Sequence, residues 1–456
     1  MMSSKHTPQE RVIHMTSLYT KDTVIGKLWK EISQIFSKET KPTRQHLFEM
    51  ILSVFALNGF QSVKCSFEHF INEVSEFQLK SFYYTLNEGK IALTDWMKNL
   101  IVLALSLSQK ISSQPIILSV DDTLVEKYGK HFAHWSKLFD HAAHHGSNYL
   151  NGHCFVSLEL SLPVQDHSDR HYISFPLACL MWTKEHSKLE LAAQLVKNAM
   201  DCLGNTRQVI LCCDSWYPKG CLKDLVNEYP NLTLICNVRS DTAIFALPSP
   251  KSGKKGRPQV RGQKLSLHDF ALHEVPGTGY LVGARPVMTM LFAQRMVYAV
   301  VTKSKKSDSF RLFLSSADPS ALPFDLSFSD TKAAAFARSN PDFLPLTIYA
   351  LRWNIEVSFY ERKTFWAFSD YRLRSHTGIE RLINLLSLCY ALSKILPFLL
   401  PDFSPLKGSS AQQVRFALGK CIRQQVFFAS LPPLIHSLFI HSSDIFPSPS
   451  PSPVPF

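Results

Sequence analysis

One carboxylate ringed by phosphate-binding side chains stands out in the stretch Leu346–Leu373. There Tyr349, Arg352, Glu356 and Lys363 follow one another as Y-x2-R-x3-E-x6-K. At about 100° per residue these four positions fall within roughly 60° of one another on a helix. One face thereby presents a phenol, a guanidinium, a carboxylate and an ammonium. Glu361 points away from that stripe, and Leu351, Ile355, Phe359 and Trp366 are spaced to dock the helix on a core. A guanidinium can hold a phosphate through two N–H groups, an ammonium as a point charge and a phenol through its hydroxyl, whereas a carboxylate is a ligand for a hard divalent cation. A plain salt-bridge stripe is the alternative, contributing a few tenths of a kcal/mol per pair.

The complete four-residue pattern resembles the Tyr-Arg-Glu-Lys motif of bacterial insertion-sequence transposases of the DDE class, insertion-sequence-four type. The segment DYRLRSHTGIERLINLLSLCYAL that follows, read as a continuation of the helix, is also similar to theirs. Such enzymes need two further carboxylates. Upstream, the apolar run Ile116–Val120 leads into Asp121 and Asp122, and RQVILCCD leads into Asp214. Acids at strand ends are well placed to hold a metal, but successive strand residues face opposite sides, so only one of Asp121 and Asp122 can enter a given site. The dipeptide Asp122-Thr123 is similar to the first catalytic aspartate and its threonine in some of these transposases, so Asp122 is preferred and Asp121 is its alternate. Asp-Asp-Thr can equally build a turn or helix cap, and Asp214 an N-cap.

The resemblance implies that Asp122, Asp214 and Glu356 bind two Mg²⁺ ions, with Mn²⁺ as a possible substitute. It implies that Tyr349, Arg352 and Lys363 grip DNA, and that the activity is cut-and-paste transposition on double-stranded DNA, both element ends and target, by a homodimer. An inactive DNA-binding derivative and an RNase H-like nuclease without strand transfer are the competing functions.

These residues need a scaffold, and the expected fold class is α/β: an RNase H-like catalytic core with a β-rich insertion, preceded by an all-helical N-terminal domain. After a flexible start at 1–20, the patterns VIGKLWKEISQIF, TRQHLFEMILSVFAL, FEHFINEVSEF and LTDWMKNLIVLALSLSQ give a helical, DNA-end-binding domain over 21–110. The first part of the core is expected over 111–240, as strands GHCFVSLELSL and HYISFPLACLMW, the helix HSKLELAAQLVKNAMDCL, and the strand ending at Asp214. Short strands over 241–314 form the insertion, which in the family helps hold the DNA end. They follow the basic loop KSGKKGRPQVRGQK, whose Lys254, Lys255, Arg257 and Arg261 suit phosphate contacts. Some relatives carry a base-stacking tryptophan where Arg311 follows Phe310 here, so the resemblance names no stacking residue. The second part of the core, with the Glu356 helix, covers 315–400, and 401–456 holds a C-terminal helical segment and a Ser/Pro tail.

Composition sets the outer bounds. At 456 residues with 45% hydrophobic content the chain can bury real cores, and a formal charge of +12 fits a polyanionic partner. Ten cysteines without a CxxC pair read as reduced thiols. Six histidines between Lys130 and His153 have no repeating metal-ligand spacing and suit a DNA-facing loop better than a zinc site. No signal peptide is legible and the apolar stretch Leu382–Leu400 is interrupted by Asn384 and Lys394, so a cytoplasmic protein with no membrane association is expected.

Overall fold

The computed structural model describes residues 18–57, 62–129, 131–140, 148–166, 169–249, 259–293 and 295–431. Residues 1–17 of the expected flexible start, the Ser/Pro tail, and Lys254, Lys255 and Arg257 lie outside them.

The centre is a mixed sheet. Strands β1 (Ile116–Glu126), β2 (Ser136–Phe139), β3 (Tyr149–Asp166), β4 (Asp169–Met181), β5 (Val209–Cys213) and β6 (Leu232–Val238) form its first half. The run β4-β3-β1-β5-β6 has β3 antiparallel to β1, and β1, β5 and β6 parallel to one another. This mixed α/β order fits a DDE-type, RNase H-like domain. β1 is longer than its apolar run indicates: it continues through Asp121 and Asp122 to Glu126 because β3 pairs with it along that whole length.

The short strands β7 (Ile244–Phe245), β8 (Lys264–Leu265) and β9 (His273–Val275) and the longer β10 (Tyr280–Thr289), β11 (Met296–Ser304) and β12 (Phe310–Ser315) extend this sheet. β12 pairs antiparallel with β6, so the segment between Asp214 and Glu356 is joined edge to edge with the core.

Helices α1 (Val24–Ile32), α2 (Lys41–Ala56), α3 (Leu79–Asn87) and α4 (Leu93–Leu105) precede the sheet, α5 (Lys188–Leu203) and α6 (Gly220–Glu228) cross over between strands, and α7 (Leu344–Tyr349), α8 (Trp353–Phe365), α9 (His376–Leu399) and α10 (Ala411–Ser430) follow it. The N-terminal helices share one apolar core with α9, α10 and the sheet. Arg415 on α10 donates to the carbonyls of Leu57 and Phe365, tying α2 to the end of α8. By length and composition α9 could cross a membrane, but 83% of its most apolar window is buried inside the fold.

Within α2, Glu49 is fully buried and its carboxyl is pushed up to about 7 by burial, against hydrogen bonds from Ser75, Gln45 and Tyr19. The folded chain thus binds a proton that the unfolded chain releases between about pH 4.5 and 7, and stability falls as pH rises through that window. Glu49→Gln is expected to be more stable than wild type at pH 8 by on the order of 1–3 kcal/mol and to lose that advantage at pH 5. Urea unfolding at both pH values measures it; a pH-independent difference would contradict the buried proton.

Candidate active site

Strand parity sorts the two adjacent aspartates. Ile117 on β1 and Ile210 and Cys212 on β5 face Ile348 of α7, while Ile116, Leu118 and Val120 face the main core on the other side. Asp121 shares the side of Ile117 and Asp122 that of Val120. The last paired residues of β1 and β5 are Val120 and Cys213, so Asp121 and Asp214 come next on neighbouring parallel strands.

Glu356 reaches them from α8. The chain there is not one continuous helix: α7 tightens into a 3₁₀ turn at Ala350–Arg352 before α8 begins. α8 ends at Phe365, with Ala367 at φ 58° breaking the path to α9. Ile355, Phe359 and Trp366 are buried, and Glu356 projects outward with 41% of its side chain exposed. Arg352, only 10% exposed, donates from Nη1 to Asp121 Oδ2 at 2.9 Å and from Nη2 to Glu356 Oε1 at 2.8 Å. One guanidinium therefore joins an acid of the first strand to an acid more than two hundred residues later.

The electrostatics follow from that crowding. Burial, then the Asp214 charge, push Asp121 up to about 7 against the opposing pull of Arg352. Burial works to lower Arg352, but Tyr349, Glu356 and Asp121 outweigh it and hold the guanidinium firmly charged. Tyr349 packs edge-on against Phe313 at 5.0 Å, with the Arg352 guanidinium 5.6 Å from its ring, and burial raises its phenol. Asp214 accepts from the Trp216 amide at 3.0 Å; it caps this turn, and α6 starts only at Gly220.

Asp122, the preferred residue on sequence, faces the other way and is already engaged. Its Oδ1 accepts from the Tyr217 hydroxyl at 2.7 Å and its Oδ2 from Lys188 Nζ at 2.6 Å, with the Cys154 thiol at 3.3 Å. The structure thus places Asp121, the alternate, beside Asp214 and Arg352, with Glu356 on the same guanidinium, and holds Asp122 on the opposite face of β1. Lys363 follows Glu356 by seven residues within the continuous α8, which puts the two about 20° apart on one helix face; burial and then Arg362 lower its half-buried ammonium, with Asp140 and Cys154 acting the other way. Glu361 turns to α9, where Tyr390 donates to it at 2.5 Å. Arg261 lies over the Phe245 ring at 4.1 Å.

Residues 73–279 match the family model described as DDE superfamily endonuclease. This match includes Asp121, Asp122 and Asp214, spans less than half of the chain and stops before Glu356. No curated protein matches the chain. The DDE similarity supports a nuclease- or transposase-like activity of the DDE type. DDE-type nucleases generally use divalent metals. Among the described residues, no three His, Cys, Asp or Glu side chains are gathered closely enough to hold an ion as placed. The donors beside Arg352 are all carboxylate oxygens, the ligand type a hard cation takes, and a guanidinium already lies between two of them.

Among the described residues, His134 and His153 of the histidine-rich stretch are engaged with other groups. His153 is buried between the Tyr371 hydroxyl at 2.6 Å and the Ala133 carbonyl at 2.8 Å, His134 meets His376 edge-on at 4.9 Å, and His141, His144 and His145 lie outside the described residues. Sequence reasoning missed the side chains that lock the neighbourhood, among them Lys188 and Tyr217. Neither carries a local motif, and both meet Asp122 only through tertiary packing. All ten cysteines are free thiols.

Proposed function

We propose that the chain is a DDE transposase of the insertion-sequence-four type that cuts and pastes DNA, with Asp121, Asp214 and Glu356 as its acids. The single observation that carries this is Arg352 holding Asp121 and Glu356 on its two terminal nitrogens, which brings the first-strand acid and the helix acid to one place. These three carboxylates would hold Mg²⁺ or Mn²⁺. When bound, two such ions activate the attacking oxygen and stabilise the leaving oxygen of an in-line phosphoryl displacement. Arg352 then turns its guanidinium to a DNA phosphate beside the scissile bond, and Tyr349 contributes its hydroxyl. Lys363 supplies a further positive charge along the same helix. Trp353 and Tyr360, at 62% and 63% exposure, flank Glu356 on α8 and offer apolar faces to the DNA end. The reaction proceeds by nicking at element ends, hairpin formation and resolution, and strand transfer, carried out in the cytoplasm by a homodimer that bridges two ends.

Purified protein incubated with its flanking inverted-repeat DNA and Mg²⁺ should nick the ends and yield joined products, both abolished by chelator. Nicks without joined products would leave a nuclease. Specific binding without either would leave a DNA-binding derivative, which the Arg352 bridge across the acids also accommodates. Independently, Lys254, Lys255 and Arg257 changed together to alanine are expected to weaken DNA affinity across sequences and reduce the salt slope by about three. An unchanged slope, read by fluorescence anisotropy at several salt concentrations, would remove that loop from the DNA contact.

A further inference from the structure

The far end of α8 is fastened to the strand that carries Asp121, and neither the acid cluster nor the DNA grip accounts for that contact. Just past Glu126, the last paired residue of β1, comes Lys127, whose side chain is buried. Its ammonium donates to the carbonyls of Ser369 and, at 2.9 Å, Tyr371, and lies 3.6 Å from the centre of the Tyr371 ring. The strand side of the contact is itself fixed: the Lys127 amide donates to the Asn151 carbonyl of β3 at 2.8 Å, and the Trp135 indole donates to the Lys127 carbonyl at 3.2 Å. Tyr371 is held a second time, by His153, which burial keeps neutral. Its Nε2 faces the Ala133 carbonyl at 2.8 Å, which can only accept, so Nε2 carries the proton and Nδ1 takes the Tyr371 hydroxyl at 2.6 Å.

α8 is laid along this part of the sheet. Asn354 near its start donates to Ser174 on β4 at 2.8 Å, and Arg362 near its end meets Cys179 on β4 at 3.4 Å. Through β3 these two β4 residues stand level with Ile117 and Asp121 of β1. Eight residues of helix rise about 12 Å and four of strand about 13 Å, so the helix runs nearly parallel to β1. The chain goes on in the same direction: Phe368 meets Phe155, level with Thr123, and Tyr371 meets His153, level with Val125. The turn moves with the helix, because the Trp366 and Phe368 amides both return to the Arg362 carbonyl, at 3.2 and 3.1 Å. Apolar packing lets a parallel helix slide along its strands, whereas directed, charge-assisted bonds beyond its end do not. Arg415 ties this end of α8 towards α2; Lys127 ties it to the strand of Asp121. Burial lowers the Lys127 ammonium to about 8, with Asp370 opposing the fall and Arg372 adding to it, so the charge is kept at pH 7.

We propose that Lys127 is a positioning residue: by fastening the turn at 369–371 to the end of β1 it fixes how far along that strand α8 lies, and so where Glu356 stands relative to Asp121. Its purpose rests on the transposase reading; its physical effect on α8 does not. In that reading Arg352 leaves the two acids for a DNA phosphate, and the Lys127 contact then keeps helix and strand in step. Lys127 touches neither DNA nor metal and acts only through the turn.

The test uses the full chain with Lys127→Met, which keeps an unbranched stem and removes the donor. It is expected to fold with a lower unfolding midpoint, since two carbonyls lose their partner. At a temperature where the folded state is fully populated, amide hydrogen exchange across Trp353–Phe365 should accelerate by about tenfold or more. Mn²⁺ affinity, followed by electron paramagnetic resonance without DNA, should fall about 10- to 100-fold, the usual consequence of disturbing groups behind a metal ligand. DNA affinity without metal should stay at the wild-type value, so that cleavage is lost in turnover and not in binding. A lysine that served stability alone would lower the midpoint and leave α8 exchange, Mn²⁺ affinity and turnover as they are. Should Lys127→Met not fold, Lys127→Gln decides: its amide donates without the charge, and the same changes should appear in smaller measure. Wild-type exchange in a folded variant, or faster exchange with wild-type Mn²⁺ affinity, overturns the proposal. A wild-type chain that binds no Mn²⁺ and never nicks DNA would count against the transposase reading instead, and the exchange of α8 alone would then judge the fastening.

Discussion

Asp121→Asn is expected to lower metal-dependent DNA cleavage by about 10²- to 10³-fold or more, while Asp122→Asn leaves it within about tenfold of wild type. The contrast follows from which side of β1 each side chain takes. Asp121 is crowded by Asp214 and pinned by Arg352, and its carboxyl resists ionisation because burial and the neighbouring acid both oppose the charge. A divalent cation relieves that opposition, since unit charges 4 Å apart interact by on the order of 4 kcal/mol at an effective dielectric near 20. An amide cannot take that role. The same argument makes Asp121→Asn neutral or mildly stabilising, as it removes a repulsion that folding imposes.

Asp122→Asn should behave in the opposite way. It takes the counter-charge from Lys188, whose ammonium is held up against burial by Cys154 and Asp122. The expected cost is about 1–3 kcal/mol of stability, the penalty for a part-buried charge that loses its partner. Urea unfolding and cleavage measured on the same preparations separate the two effects. An inactive Asp122→Asn with a fully active Asp121→Asn would move the metal to the opposite face of the sheet and dissolve the proposed site.

Sequence patterns carried much of this architecture and failed at identifiable places. The apolar β-branched runs placed β1 and β5, and put Asp214 one residue beyond the last paired residue of its strand. In IILSVDD the one polar residue before the acids, Ser119, shares its parity with Asp121, and that signal favoured the residue ranked second. The weight given to Asp122-Thr123 came from resemblance, whereas pleating turns Asp121 to the side of Arg352 and Glu356. The helical period brought Tyr349, Arg352 and Glu356 to one face, and Lys363, seven residues on within the same α8, keeps nearly the angle of Glu356. The 3₁₀ turn at Ala350–Arg352 changes the phase without any glycine or proline to announce it. The stop at Phe365 is equally silent in sequence, because Ala367 adopts a positive φ that its residue type does not favour. Pairing of β12 with β6, and the sharing of one core by the N-terminal helices with α9 and α10, are contacts between distant segments that local periodicity cannot encode.

Glu356→Gln is the sharpest remaining test, because the DDE family match ends well before this residue and its place rests on the motif and the Arg352 bridge. The substitution is nearly isosteric, and the amide oxygen can still accept from Arg352 Nη2. With 41% of the side chain exposed, stability should change by no more than about 0.5 kcal/mol. Any large loss of cleavage is then chemical, and at least about 10²- to 10³-fold is expected. DNA affinity measured without metal should hold or rise, since one negative charge facing the phosphates is gone. Arg352→Lys gives the complementary result: a single ammonium cannot hold Asp121 and Glu356 on two separate nitrogens, so binding and cleavage should both weaken, whereas Glu356→Gln weakens cleavage alone. Unchanged cleavage by Glu356→Gln would exclude this glutamate from the chemistry and reduce the Tyr349–Arg352–Glu356 stripe to an ordinary ion-paired helix face.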